Sequence, residues 1–489
     1  VGAYQEDSGS LGINSVPNDN ATEAGAAYIF VKTDGLWTQQ AYLKPVAVGT
    51  SQAFDEFGYS VAISGDTAVV GAHYESSSST GINSTPNENA DGAGAAYVFV
   101  RDDGLWTQEA YLKPDSVGET QEYDQFGYSV AISGNTVVVG ALREDSAVTG
   151  INQAPDENAT NAGAAYVFVC SDGLWTQEAY LKPSEVGSSQ LGDEFGTSVT
   201  VSGDTVVVGA PWESSSTTGA NSTPDEDSSF AGAIYVFVRS KGIWNQQAYL
   251  KPDDGGIKQV GDRFGWSVAV ADDILIAGAP GEDSSSKGIN SAPDELASDA
   301  GAAYVFVQSE GHWEQQAYLK PGTLGETQGQ DRFGWSVAAS GDTVVVGARA
   351  KNDGATGVNP PPPHDISEDL TISAGAAYVF VRSEGRWSQR AYMKPEAIGA
   401  SQDYDLFGTS VGVSDDTVVV GAHGESSSTS GVNSVPDEHV FSAGAAYIYD
   451  GFGSVLAPIQ AWRQTHFSEI ENAGTAANHM DCDGDGWAN

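Results

Sequence analysis

Apolar and polar positions alternate in short segments along this chain. Between residues 57 and 113 the pattern predicts four strands, at 57–64, 67–72, 95–100 and 106–113. Val, Tyr, Phe and Trp dominate these segments and no apolar period of 3.6 residues is sustained, which favours strands over helices. The third strand is apolar throughout, as expected of a strand buried on both faces. In the fourth strand, period-2 alternation predicts that Trp106, Ala110 and Leu112 share one face.

Two kinds of connection separate these strands. Gly65-Asp66 and Asp103-Gly104 suit tight hairpin turns, because Gly and Asp tolerate the backbone conformations that such turns need. About twenty polar residues separate the second strand from the third. Loops of that length without secondary structure are uncommon unless they are functional. The unit is therefore predicted to be a four-stranded antiparallel sheet with one long polar loop.

The same unit recurs along the chain. The second-strand and third-strand segments each occur seven times. Phe-Gly, which opens the first strand, recurs at four intervals of 69 residues and one of 74, at Phe57, Phe126, Phe195, Phe264, Phe333 and Phe407. Four short strands repeated in series are typical of propeller blades. A linear β-solenoid is the alternative, but 69 residues is too long for one coil.

We therefore predict an all-β fold, a seven-bladed β-propeller of four-stranded antiparallel blades over residues 1–453. The first blade is incomplete because it lacks its opening strand, so we expect a chain extended upstream to be more stable. The seventh blade lacks a recognisable Trp strand, for which residues 454–462 could substitute. A short C-terminal tail, 454–489, follows. The predicted blades span about 1–56, 57–125, 126–194, 195–263, 264–332, 333–406 and 407–453.

The motifs that flank the second strand resemble the FG-GAP repeat. Phe-Gly opens each unit, and Gly-Ala-Pro follows the second strand at 209–211 and 278–280. FG-GAP repeats form the blades of integrin α-subunit propellers, and bacterial secreted proteins carry similar units. The resemblance implies a secreted or cell-surface protein that binds ligands on the face carrying the long loops. The calcium loop of the integrin repeat does not carry over, because residues 64–67 and 202–205 each hold a single acid and their equivalents hold at most two, too few oxygens for calcium.

The net charge narrows the class of partner. The chain has 66 Asp and Glu against 21 Lys and Arg, a net charge of −45, yet 40% of its residues are hydrophobic. Such a chain folds, and its acidic surface repels nucleic acid and anionic lipid while it attracts cations. No apolar run is long enough to span a bilayer. We expect no nucleic-acid partner and no membrane insertion.

The long polar loops are candidate calcium sites. They combine carboxylate and amide oxygens on a Gly/Ser-rich backbone, which is the ligand chemistry of calcium. The alternative is that they are solubilising loops copied with the repeat. The candidate ligands in two of the copies are Glu144, Asp145, Asp156, Glu157, Glu282, Asp283, Asn290, Asp294 and Glu295.

The sixth blade departs from the repeat. It carries Arg349 and Lys351 in a segment where other copies have Glu or Asp, followed by four prolines at 360–363 and a five-residue insertion. Insertions in single repeats map to the binding face, so these two residues are candidate ligand-binding residues, with neutral drift as the alternative. In addition, an Asp precedes every Phe-Gly, and we favour a structural role for it as an acceptor of backbone N–H groups. These residues are Asp55, Asp124, Asp193, Asp262, Asp331 and Asp405.

The tail contains a more specific calcium motif. Asp481, Asp483 and Asp485, with Gly at the sixth position, match the opening of an EF-hand-like loop. Asn489 is the ninth position, and the usual acidic twelfth ligand is missing. The tail resembles the calcium-binding segments that precede C-terminal anchoring regions of bacterial secreted proteins. It is a candidate Ca²⁺ site of the intact protein.

Catalytic signatures are weak. Gly408-Thr-Ser410-Val-Gly412 fits the nucleophile-elbow pattern, but no helix pattern follows the serine. The seven histidines occupy unrelated repeat positions. We therefore predict a non-enzymatic adhesion or recognition module, assisted by calcium, whose partner is a protein or a polysaccharide on the acidic loop face. The alternatives are a structural surface-layer or matrix component, and a non-catalytic part of a larger secreted enzyme.

Overall fold

The computed structural model describes residues 1–452 except 254–258, 323–328, 361–370, 397 and 400. All regular secondary structure in the described residues is β-strand. This part of the chain therefore contains no helix that could span a membrane. The strands, in chain order, are β1 (Gly2–Ala3), β2 (Ala26–Thr33), β3 (Leu36–Leu43), β4 (Val61–Ser64), β5 (Thr67–Ala72), β6 (Ala95–Asp102), β7 (Leu105–Leu112), β8 (Phe126–Ser133), β9 (Thr136–Ala141), β10 (Ala164–Ser171), β11 (Leu174–Leu181), β12 (Ser198–Ser202), β13 (Thr205–Ala210), β14 (Ala233–Ser240), β15 (Ile243–Leu250), β16 (Ser267–Ala271), β17 (Ile274–Ala279), β18 (Ala302–Ser309), β19 (His312–Leu319), β20 (Phe333–Ser340), β21 (Thr343–Ala348), β22 (Ala376–Ser383), β23 (Arg386–Met393), β24 (Phe407–Ser414), β25 (Thr417–Ala422) and β26 (Ala445–Asp450).

These strands form seven antiparallel sheets, and each sheet is one blade whose strand order follows the chain. Blades II to VI have four strands each, from β4–β7 to β20–β23. Blade I (β1–β3) and blade VII (β24–β26) have three strands among the described residues. The predicted all-β, seven-bladed fold is confirmed, and blade I lacks its innermost strand as expected. Residues 454–462 and the rest of the tail lie outside the described residues.

A β-bulge in the outermost strand makes one detail of the prediction wrong. In blade II, Phe99 pairs with Gln108 and Val98 pairs with Ala110, so the register shifts by one residue between them. Side chains on the two sides of the bulge therefore no longer follow one period-2 alternation, and those beyond it point to the opposite face of the sheet. Trp106 therefore packs with Phe99 and Tyr111, whereas Ala110 belongs to the core on the other side of the sheet. The same shift occurs in all six complete outer strands.

The Phe-Gly step joins neighbouring blades. Phe126 is buried, its N–H donates to the carbonyl of Ala93 in the preceding blade, and its ring packs 5.4 Å from that of Tyr166. Gly127 has φ +91°, and a Cβ there would lie 2.2 Å from the carbonyl oxygen of Ala95. Glycine is required for both reasons. Ser60 Oγ donates across the same interface to the carbonyl of Gly127 at 2.7 Å, and this bond also joins the two blades.

The seven blades close into a ring. Neighbouring innermost strands contact each other in chain order from β4 to β24. The last blade then meets the first, where Lys32 Nζ on β2 lies 2.8 Å from Asp450 Oδ2 on β26. The start of each innermost strand and the end of each second strand consequently lie at one end of the central axis.

Candidate functional site

The long loops and the blade-to-blade connections lie on one face of the ring, which we call the loop face. The connection into blade II follows the loop of blade I, because Phe54 N–H donates to the carbonyl of Thr22 at 2.8 Å. The connection into blade III is tied to the loop of blade II, where Gln121 Nε2 donates to the carbonyl of Ser78 at 2.9 Å. These contacts hold the connections into blades II and III against the long loop of the preceding blade.

The axis opens on the loop face into a cavity of about 340 Å³, which we call the mouth. Its lining comes from three places in each blade: the residue before Phe-Gly, the residue after it, and the two residues that follow Gly-Ala at the end of the second strand. Blades II to V contribute Glu56, Tyr59, His73, Tyr74, Gln125, Tyr128, Leu142, Arg143, Glu194, Thr197, Trp212 and Trp266.

The mouth positions differ between blades, whereas the motifs beside them do not. Phe-Gly is identical in six blades, yet the residue that follows it is Tyr59, Tyr128, Thr197, Trp266, Trp335 or Thr409. The scaffold positions of the repeat thus stay fixed while the surface around the axis changes. Surfaces built in this way make the extended binding faces of repeat proteins.

Aromatic rings cluster on one side of the mouth. The ring of Tyr59 lies 5.0 Å from that of Tyr128 and 4.1 Å from the imidazole of His73. His73 lies 4.1 Å from Tyr74, and its Nε2 is 3.7 Å from a carboxylate oxygen of Glu56. Burial, together with the charge of Arg143, lowers the pKa of His73 to about 3, so its imidazole is neutral at pH 7.

Tryptophans and arginines form the opposite side. Trp266 and Trp335 lie 4.7 Å apart. The guanidinium of Arg349 stacks on Trp335, 3.3 Å from the ring centroid, and that of Arg263 lies 4.9 Å from the ring of Trp212. Such stacking holds a cation in place without an acidic partner. Arg349, predicted as a ligand-binding residue, therefore borders the mouth.

Arginines concentrate around the mouth of a protein whose net charge is −45. Four arginines line or border it: Arg143, Arg263, Arg332 and Arg349. Burial and the nearby Arg332 lower the pKa of Arg349 to about 10, which keeps it protonated at pH 7. Burial raises the pKa of Glu56 to about 7, so this carboxyl group loses part of its charge at pH 7, and burial also raises the pKa of Glu194 against the lowering effect of Arg143.

The first acidic residue of each long loop has a structural partner. Glu144 Oε2 lies 3.2 Å from Lys182 Nζ, and its Oε1 accepts from the hydroxyl of Tyr180 at 2.9 Å. Lys182, fully buried, also donates to the carbonyls of Ser146 and Gly163. Glu282 makes the equivalent contacts with Lys320 and Tyr318. We call this arrangement the Glu–Lys–Tyr lock; it fastens the long loop to the outermost strand.

Further predicted calcium ligands accept hydrogen bonds from the protein itself. Asp145 accepts from Asn161 N–H, Asp156 from Ala147 N–H, and the Glu157 side chain from backbone N–H groups of the connection that enters blade III. In blade V the same pattern appears in Asp283, Asn290 and Asp294, which accept from the N–H groups of Asp299, Tyr318 and Ser285. These bonds give the loops an ordered conformation. Glu295 also interacts within the protein.

Calcium binding by the loops stays a prediction. Among the described residues, no group of three His, Cys, Asp or Glu side chains is placed to hold a metal ion. The motif in the tail, with Asp481, Asp483, Asp485 and Asn489, lies outside the described residues.

The Asp before each Phe-Gly is buried in all six copies. Burial and the neighbouring Glu144 and Glu157 raise the pKa of Asp124 to about 9, so it is protonated at pH 7. In blade VI the corresponding Asp331 instead forms an ion pair with Lys351, with 3.1 Å between Nζ and Oδ2. Lys351 thus has a buried partner of its own and is not presented to the mouth. Asp353 replaces the lock glutamate there and accepts from the hydroxyl of Tyr392 at 2.5 Å.

Sequence reasoning missed most of the mouth. Trp266, Trp335, Tyr128 and their equivalents follow a motif that is identical in every copy, so they were counted with the strand. Comparing the six copies could have found them, because the position after Phe-Gly varies between copies whereas Phe-Gly itself does not. The lock was also missed, because its Glu and Lys are 38 residues apart.

Known proteins agree with this architecture. The family model described as FG-GAP repeat matches residues 37–99, 106–168, 175–237, 244–306 and 313–359, more than half of the chain. The chain belongs to the FG-GAP repeat family. Each of the four full-length matches runs from the outer-strand Trp of one blade to the third-strand Phe of the next, so the FG-GAP unit bridges two blades.

Among solved structures, one that matches this chain is the N-terminal domain of Nup159. The FG-GAP propeller is 11% identical to it with a TM-score of 0.30, over 74% of this chain and 71% of that chain. No curated protein matches the sequence.

Proposed function

We propose that this FG-GAP propeller is a non-catalytic recognition or adhesion module that binds a protein or polysaccharide at its mouth. The proposal includes a location outside the cell or on its surface, which is where the resembling integrin propellers act. The observation that carries it is the lining of the mouth, where aromatic and arginine side chains vary between blades on a constant scaffold. Aromatic residues and arginine dominate binding surfaces, because they bury large areas and donate several hydrogen bonds.

The size of the mouth supports the proposal. A cavity of about 340 Å³ lies at the lower end of the range of small-molecule sites, so it can take the end of a larger ligand. The long loops surround it and add a polar rim. Their internal hydrogen bonds and the locks hold them in place before a ligand arrives, which reduces the entropic cost of binding.

Binding to protein and glycan arrays tests the proposal. The decisive variant carries Tyr128→Thr, Trp266→Thr and Trp335→Thr together. Thr occupies the same position in two other blades, at Thr197 and Thr409, so the scaffold accepts it. We expect the variant to lose the ligands that the unmodified protein captures.

The control variant carries a substitution on the face of the ring opposite the loop face. Leu105→Arg places at a hairpin turn the residue that blade VI carries at the equivalent position, Arg386. The control should bind as the unmodified protein does. Ligands retained by the triple variant would contradict binding at the mouth, and two empty arrays would favour a structural surface-layer component.

One observation favours a catalytic second candidate. Glu56 has a pKa of about 7 in the mouth, beside a neutral His73 at 3.7 Å, and a carboxyl group with such a pKa suits general acid–base chemistry. If the mouth cleaves a captured glycan, reducing ends accumulate with the unmodified protein and not with Glu56→Gln. We expect no such release.

A further inference from the structure

We infer that the mouth binds the acidic end of a glycan, meaning a terminal sugar that carries a carboxylate. The inference rests on the proposed function and narrows its ligand class. Two independent observations carry it: arginines that form no ion pair with a described residue, and aromatic rings on both sides of the cavity.

The arginines of the mouth form no ion pair with a described residue, although the charge of Arg143 acts on the carboxyl group of Glu194. Among the described residues, no ion pair involves Arg143, Arg263, Arg332 or Arg349, whereas Arg101, Arg239 and Arg382 each pair with an Asp. Arg263 Nε is buried, and no described residue accepts its hydrogen. A partly buried cation with open donors costs free energy that a bound anion recovers. The guanidinium groups of the mouth are therefore expected to bind a negatively charged group of a ligand.

The stacked guanidinium groups favour a carboxylate. Arg349 on Trp335 and Arg263 on Trp212 are held by their rings, so little further entropy is lost when they bind. A guanidinium offers two parallel donors to the two oxygens of a carboxylate. Within the mouth, burial raises the pKa of Glu56 to about 7, which weakens its competing negative charge.

The aromatic rings favour a sugar over an acidic peptide. Trp266 borders the cavity 4.7 Å from Trp335, and Tyr59 and Tyr128 lie on the other side. The C–H face of a pyranose ring carries partial positive charge and lies flat on the negative face of an indole or phenol ring. An acidic peptide would bring its charge on flexible aliphatic side chains, which use such platforms less well.

The overall charge favours a chain end over a long polyanion. Beyond the mouth, a protein of net charge −45 repels an extended acidic polymer. A cavity of about 340 Å³ admits only a short piece of ligand. One acidic residue at the end of an otherwise neutral glycan satisfies both constraints.

Calorimetry with matched glycans tests the inference. The probes are trisaccharides that end in glucuronate, galacturonate or N-acetylneuraminate, each beside its methyl ester, which removes only the charge. We expect at least one acid to bind about tenfold or more tightly than its ester, and 0.5 M NaCl to weaken it, because charge-assisted hydrogen bonds are lost or screened. Equal binding of every acid and its ester, or no binding of any acid, would overturn the inference.

Two single variants assign the effect to the mouth. Arg349→Leu and Arg386→Leu remove the same charge, from the mouth and from an exposed hairpin turn, and each introduces the residue that blade III has at that position, Leu142 and Leu174. We expect Arg349→Leu to abolish the preference for acid over ester and Arg386→Leu to preserve it. Trp266→Thr should weaken acid and ester alike, about tenfold, because it removes the stacking surface.

The outcomes separate the inference from the proposed function. A neutral glycan or an acidic peptide that depends on Trp266 or Arg349 would overturn the acidic-sugar inference and leave a recognition site at the mouth. Acid binding that neither variant changes would overturn both.

Discussion

The Glu–Lys–Tyr lock makes a sharp prediction for stability. In blade IV, Lys251 is fully buried and its Nζ lies 3.2 Å from Glu213 Oε2, 2.7 Å from the carbonyl oxygen of Ser215 and 2.6 Å from that of Gly232. Lys251→Met keeps the aliphatic stem and removes all three contacts. Glu213 is then left as a buried carboxylate with the hydroxyl of Tyr249 as its remaining lock partner.

The expected loss is large. Removing one member of a buried ion pair costs roughly 3–5 kcal/mol, because the other charge stays buried without compensation. Lys241→Met is the control, since it makes the same change at an exposed hairpin turn of the same blade, where we expect a change of less than about 0.5 kcal/mol. Adding Glu213→Gln to Lys251→Met should recover part of the loss, since the orphaned charge disappears.

Urea unfolding followed by tryptophan fluorescence measures these differences. The free energy of unfolding should fall for Lys251→Met, stay unchanged for Lys241→Met and rise again in the double variant. If the two Met variants unfold at the same urea concentration with the same slope, the lock does not stabilise the ring and the reasoning is wrong.

Three further predictions concern pH, backbone and calcium. The pKa of Asp124 is about 9 in the folded protein, against a usual value of 3.8, so its contribution to stability is greatest below pH 4 and is lost as the pH rises to about 9. Asp124→Asn should therefore raise the melting temperature at pH 8. The melting temperature of this variant should also depend less on pH between 5 and 9. Gly127→Ala should cost more than about 3 kcal/mol in urea unfolding, because a Cβ meets the Ala95 carbonyl, whereas Gly104→Ala, with φ +80° and open space, should cost about 1 kcal/mol. Millimolar calcium should raise the melting temperature, and a chelator should reverse the rise, if the loops or the tail hold the ion; an unchanged melting curve would remove calcium from the proposal.

The fold was predictable because each strand carries its own local signal. β5 begins and ends at the predicted residues, 67 and 72, and the first five residues of β6 are buried as its apolar run indicated. The face of Trp106 was not predictable, because the bulge depends on how strand four pairs with strand three. The alternation of apolar and polar residues along one strand gives no information about how that strand pairs with its neighbour.

The site was less predictable, since it assembles residues from separate blades. Arg349 was singled out because it breaks the repeat, and it does border the mouth. Lys351 was singled out for the same reason, yet it pairs with Asp331, a residue twenty positions earlier. A departure from a repeat indicates that something has changed, and only the three-dimensional neighbours show whether the change faces a ligand or the core.

The separation between a constant scaffold and variable mouth positions has an evolutionary consequence. A blade can be duplicated without redesign, because its Phe-Gly step and its lock already fit the neighbours. Single substitutions at the mouth positions can then alter specificity while folding is preserved. Natural selection can therefore explore new ligands one residue at a time, and the repeated blades offer it many independent starting points.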